Sequence, residues 1–251
     1  MAHEFEVRVE TPVDATPDQV WEAIATGPGI DSWFMGRNEI EPRVGGKGRM
    51  TMGEYTQEST VTAWEPGRRL AYRSAENPDG TFMAFEYLIE GRDGGGTVVR
   101  LVHNGFLGDD WEAEYDALTK GDAMYLDKLA QYLAHFPGRT STYNMFIPGP
   151  QVADPERVRE AFESLLGVSG WTNKVTEGDK VRLALDGLPP VDGVVDYAIE
   201  PFLGVRTATG LYRFMHGYRD TVVVELHDFS DDVDAERTEQ AWQAWLTRSF
   251  A

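Results

Sequence analysis

The chain contains no cysteine. Disulfides, thiolate nucleophiles and thiolate-bound metals are therefore excluded, and a reducing, cytoplasmic setting is the expectation. Histidine is scarce as well. Five are present, none paired at helical i, i+4 spacing, so a histidine zinc site has no support. The run Asp231-Asp232-Val233-Asp234 lacks the central glycine and closing glutamate of a calcium loop. No Gly-x-Ser-x-Gly elbow points to a hydrolase triad. No apolar run approaches the roughly 20 residues of a membrane helix. The N-terminus, Met-Ala-His-Glu-Phe-Glu, lacks the basic-then-apolar pattern of a signal peptide. No metal and no cofactor is implied.

Positive charge is the next shortage. Lys and Arg total 23 against 42 Asp and Glu, a net charge of −19, and both halves are acidic. Such a surface repels phosphate, so neither nucleic acid nor membrane insertion is expected. Solubility is the plain reading of the charge.

What is present is an internal echo. Thr97-Val98-Val99-Arg100-Leu101-Val102-His103-Asn104 reappears as Thr221-Val222-Val223-Val224-Glu225-Leu226-His227-Asp228. Upstream, Pro17 and Trp33 recur as Pro155 and Trp171 at one shared offset. A repeat of this length predicts two related domains, residues 1–138 and a shortened second copy over 139–251. Two cores fit a chain of 251 residues. Face-to-face packing of the two halves is the expectation from duplication.

Local patterns fill in the elements. Residues 3–11 alternate as a strand. Thr16, Pro17 and Gln19 form a capping box for a helix carrying Val20, Trp21 and Ile24. Strands are predicted at Arg49–Tyr55, Ser59–Trp64, Arg69–Ser74, Phe82–Glu90 and Thr97–Asn104, the last two joined by Asp93-Gly94-Gly95-Gly96. Gly45-Gly46-Lys47-Gly48 lacks phosphate-loop spacing and reads as a hairpin turn. Trp111, Tyr115, Leu118, Tyr125, Leu129, Tyr132 and Phe136 form the apolar stripe of a long helix over 109–136. After a linker at 137–141 come strands near Tyr143–Ile147, Val181–Leu185, Val194–Ile199, Val205–Thr207, Leu211–Met215 and Thr221–Phe229. Asp154 caps a helix between the first two. A last helix spans about 233–246, capped by Ser230 or Asp231. One apolar sheet face covered by one long helix can enclose a cavity of about 300–1,000 Å³.

The order of these residues resembles the START-like helix-grip superfamily, also called SRPBCC. Within it, residues 5–136 are similar to bacterial proteins related to the activator of the heat-shock protein 90 ATPase. The residues that carry this are Thr16-Pro17 with Val20-Trp21, Trp33-Phe34, Val44-Gly45-Gly46, Trp64-Glu65-Pro66 with Arg69-Leu70, Gly96-Thr97-Val98-Val99, His103-Asn104-Gly105-Phe106, and Gly121 with Leu126, Leu129 and Leu133. The second half carries only the skeleton, without the Gly-Gly hairpin or a glycine after His227. The resemblance implies an α+β helix-grip fold, present twice in tandem. Its superfamily holds lipid and hormone carriers, polyketide cyclases, ligand-gated regulators and co-chaperone domains, among which fold does not choose.

His103 is the foremost candidate site residue. If Val99 and Leu101 face the helix, so does His103. There it either anchors a ligand or moves a proton, or it is a structural histidine bonded to a backbone carbonyl. His227 at the echoed position favours the structural alternative. Asp122 interrupts the helix stripe, where the family often has Trp after the helix glycine. It either anchors a ligand or turns to solvent, because a buried carboxylate must be paired or protonated. Trp33, Met52, Trp64, Tyr72, Phe85, Tyr87, Phe106, Trp111 and Tyr115 are the further cavity candidates, with ordinary core packing as the alternative for each. Glu86, between Phe85 and Tyr87, should point to water.

Three functions follow in order. The first is binding of a hydrophobic small molecule between sheet and long helix. The second is a protein-interaction or co-chaperone-like role with a protein partner. The third is a cyclase- or lyase-type enzyme using His103, Asp122 or Tyr115, which form no recognisable constellation in the sequence. Binding is favoured over catalysis.

Overall fold

The computed structural model describes residues 2–92, 95–168 and 175–251. Trp171 of the echo and Asp93-Gly94 of the hairpin signal lie outside them. The chain divides into two compact units, Met1–Thr140 and Ser141–Ala251.

The first unit opens with β1 (His3–Val13), then α1 (Pro17–Ala25) and the short α2 (Gly27–Ile30). The capping box holds: the Gln19 amide donates to the Thr16 hydroxyl and the Thr16 amide to the Gln19 side chain at 2.8 Å. Strands β2 (Arg37–Ile40), β3 (Lys47–Met52), β4 (Tyr55–Glu65), β5 (Arg69–Ser74), β6 (Phe82–Gly91) and β7 (Thr97–Leu107) follow, and α3 (Trp111–His135) closes the unit. The sheet is antiparallel, ordered β1-β7-β6-β5-β4-β3-β2, so the first strand lies beside the last.

One strand expectation needs correction, and one strand was not anticipated. Residues 49–55 are not one strand: β3 and β4 pair back on themselves across Gly53-Glu54, with Met52 opposite Tyr55. Strand β2 had no clear alternation because it is a four-residue edge strand with no buried position.

Cross-strand partners share a face. Val7, His103, Phe85, Tyr72 and Val61 therefore form one row across five strands. A bulge in β4 between Val61 and Ala63 also turns Trp64 to this face, opposite Leu70. The face meets α3, which lies chiefly along β1 and packs Trp111 and Leu118 near Phe5, Val7 and Leu107.

The second unit contains β8 (Tyr143–Gln151), α4 (Pro155–Leu165), β9 (Lys180–Leu183), β10 (Val191–Ile199), β11 (Phe202–Thr207), β12 (Gly210–His216), β13 (Thr221–Asp228) and α5 (Ala235–Phe250). Its strand order is β8-β13-β12-β11-β10-β9, again with first beside last. Asp154 caps α4 as expected. The last helix is capped by Asp234, whose carboxylate accepts from the Arg237 amide at 3.1 Å, rather than by Ser230 or Asp231. Asp228 takes the Ser230 amide and hydroxyl instead.

Both sheets carry a long closing helix on one face. This is the α+β helix-grip arrangement expected from the sequence.

Candidate functional site

The site is built on β5, β6, β7 and α3 of the first unit. Strand alternation sends Val99, Leu101 and His103 to the helix side, and Val99 and Leu101 are buried there. His103 is 1% exposed. Its Nδ1 lies 2.9 Å from Oδ2 of Asp122, whose side chain is 12% exposed. The structural alternative weighed for His103 and the solvated one weighed for Asp122 are thereby corrected. His103 bonds a carboxylate, not a backbone carbonyl. Asp122 turns inward rather than to solvent, because the imidazole compensates its burial.

The pair fixes a tautomer. A carboxylate only accepts, so in the neutral imidazole Nδ1 carries the hydrogen and Nε2 is the acceptor. No side chain or backbone group among the described residues bonds that buried Nε2. The ring is held by aromatic contacts: Phe85 stacks on it at 3.9 Å and Phe5 meets its edge at 5.1 Å.

Two tyrosines complete the cluster. Tyr72 stacks on Phe85 at 5.2 Å, with the Tyr87 ring 6.5 Å away on the same sheet face. Burial pushes the Tyr72 phenol up to about 12, with the Asp122 charge adding to the rise. Burial also raises Tyr87 well above the usual phenol range, reinforced by Tyr72 and Asp122. Both phenols are thus neutral hydrogen-bonding groups at physiological pH.

The structure brings His103, Asp122, Phe85, Tyr72 and Tyr87 together and scatters the other candidates. Met52 lies at the far end of β3, half-buried on the same sheet face. Trp64 packs edge-on against Trp21 of α1 at 5.0 Å. Trp33 is 2% exposed and donates its indole hydrogen to the Ala23 carbonyl at 2.9 Å, which makes it packing. Trp111 stacks on His3 at the start of α3, and Tyr115 is exposed one turn later. Phe106 turns to the opposite sheet face against Phe82, whose ring carries the Arg73 guanidinium at 3.7 Å. Glu86 points away from the helix and binds Arg69 at 2.6 Å. Half-buried Gln57 and Ser59, beyond Tyr72 on the helix side, were missed, although period two from Val61 reaches both.

Gly105, two residues after His103, has φ +152°, and a Cβ there would meet the Phe82 carbonyl oxygen. The glycine lets β6 and β7 close beside the site.

His227 does not repeat His103. In the second unit Val222, Val224 and Leu226 face the helices, joined with Phe162, Phe214, Trp242 and Trp245 in one core. His227 sits one residue out of phase, on the other face, where a one-residue slip puts every side chain. That face holds Arg213, whose Nη1 bonds Asp196 at 2.9 Å, with side chains 0% and 2% exposed. A bulge in β10 at Asp196 and the bare Cα of Gly204 make room: a Cβ on Gly204 would lie 2.5 Å from both charged groups. This ion pair had no sequence signal, since its partners sit on strands 17 residues apart.

Among the described residues no group of three or more acidic or histidine side chains could hold a metal, and no helix is long and apolar enough to cross a membrane.

Residues 14–134 match the family described as Activator of Hsp90 ATPase homolog 1-like protein, and this stretch is a domain of that family, within the helix-grip superfamily. No curated protein matches the chain. Among solved structures, protein MLL2253 from Mesorhizobium loti is 23% identical, covering 52% of this chain and 97% of its own, with a TM-score of 0.46. The Aha1 dimer protein from Colwellia psychrerythraea is 22% identical, covering 51% and 96%, at 0.42. DynU16, a protein of the dynemicin biosynthetic locus, is 20% identical and covers 96% of both chains, at 0.46. At these identities none of the likenesses carries a function to this chain.

Proposed function

We propose that this domain of the activator-like family binds a hydrophobic small molecule between its sheet and α3. One observation carries the reading. The helix side of β3 to β6 holds large groups that are only partly buried, Met50, Met52, Tyr72, Met83 and Phe85, next to a buried histidine nitrogen with no protein partner among the described residues. A closed core would bury the first and satisfy the second. Helix α3 lies along β1, at the other side of the sheet from these strands.

Native mass spectrometry of freshly purified protein, beside the same sample after denaturing extraction, tests this. A small molecule lost on denaturation is the expected result. A clean apo mass, together with no binding from an apolar ring-compound library, would defeat it.

The family description supports a second reading, stimulation of a chaperone ATPase. ATP turnover by an Hsp90-type chaperone, with and without this protein, decides it. Residues 139–251 are proposed to be a shortened copy of 1–138, on the ground that both sheets share a strand order apart from the missing edge strand. A soluble, cytoplasmic protein is the accompanying proposal.

A further inference from the structure

The binding reading leaves open which molecules the site accepts, and the His103–Asp122 pair narrows that. We propose that this pair is a specificity-determining anchor that selects neutral ring compounds bearing a hydroxyl, with His103 Nε2 accepting the hydroxyl hydrogen. The inference rests on the binding reading.

Three features converge. First, Nε2 is a buried acceptor with no protein donor among the described residues. A ligand that brings a donor relieves the penalty of leaving it unmade, whereas an ether or hydrocarbon does not. Second, the Tyr72 and Tyr87 phenols lie on the His103 face with ring centroids 6.5 Å apart, and each neutral phenol can donate a hydrogen. A ligand hydroxyl both donates and accepts, so it serves Nε2 and a phenol hydrogen together, while an N–H group serves only the first. Third, the Asp122 charge acts on both tyrosines, so it also acts on whatever lies among them. That field disfavours a carboxylate and separates neutral hydroxylated rings from fatty acids. The aromatic stack of His103, Phe85 and Tyr72 supplies a flat apolar wall for a ring.

Asp122 acts through His103. Its carboxylate holds the imidazole in the Nδ1–H form, as second partners of functional histidines do. It is a positioning residue, and His103 makes the contact.

The experiment is calorimetric titration of the full chain with three probes, 2-naphthol, 2-methoxynaphthalene and 2-naphthoate, at neutral pH. The expected result is 2-naphthol binding about tenfold more tightly than its methyl ether, the worth of one net hydrogen bond, with naphthoate weakest. In the double variant His103→Leu/Asp122→Leu, which removes both polar groups together, the naphthol advantage should vanish while the ether still binds. Asp122→Asn, with His103 intact, should reduce the advantage and leave ether binding unchanged. Equal binding of naphthol and ether to the native protein would overturn the anchor and leave the cavity standing. Binding of none of the three would overturn the cavity and the anchor with it.

Discussion

In the first unit the helix side of the closing strand presents His103 between Phe5 and Phe85, with Asp122 reaching down from α3. In the second unit the same side of the closing strand presents Val222, Val224 and Leu226 to a buried cluster of Trp242, Trp245, Phe162 and Phe214. Charge there has moved to the other face, in the Arg213–Asp196 pair. One strand order thus supports two uses of a sheet face. A face with partly buried rings and an acceptor lacking a partner among the described residues forgoes stability that a face closed by aromatic packing keeps.

The largest expected effect tests the second unit. Arg213→Leu leaves Asp196 charged and buried, and should lower the unfolding free energy by about 3–5 kcal/mol in denaturant titration. A loss under 1 kcal/mol would mean that this face is not structural. The next compares the two helix-facing sides directly. Phe214→Ala, at 0% exposure, should cost about 3–5 kcal/mol, and Phe85→Ala, only partly buried, clearly less. Equal losses would erase the distinction between site and core.

A smaller effect concerns the pair itself. Asp122→Ala should destabilise by about 1–3 kcal/mol, because His103 loses the acceptor of its Nδ1 hydrogen. Replacing both residues with Leu should restore most of that loss or exceed native stability. A double variant as unstable as the single one would make the pair a structural strut. The smallest effect is alkaline. Tyr72 keeps its proton in the folded state up to about 12, while an unfolded tyrosine ionises near 10. The unfolded chain then binds fewer protons, so stability falls as pH rises through that window and is unaffected below it. Tyr72→Phe should make the decline shallower in denaturant titrations across this range.

Much of the fold was legible because its signals are local. The capping box at Thr16, the long helix α3 and the hairpin around Gly45 each depend on neighbours within a few positions, and each formed as read, although Tyr115 of the expected helix stripe is exposed. The misplaced turn at Gly53 and the shifted cap at Asp234 are local as well. There several turn or capping residues competed within a few positions, and the surrounding packing chose among them. For the site, alternation from Val99 placed His103 correctly on the helix side. The same alternation, followed from Val222, Val224 and Leu226, puts His227 on the far face. The matching Thr-Val-Val openings concealed that change of phase.

By itself the sequence determined the two acidic halves, the absence of thiol chemistry, the order of most strands and helices, and the strand face on which His103 lies. These follow from composition and from the fixed periods of helix and strand. Tertiary structure alone decided that Asp122 meets His103 and that Arg213 meets Asp196. Those contacts depend on the rotation of α3 over the sheet, on strand register and on one-residue bulges. None of these is encoded in the spacing of the residues concerned.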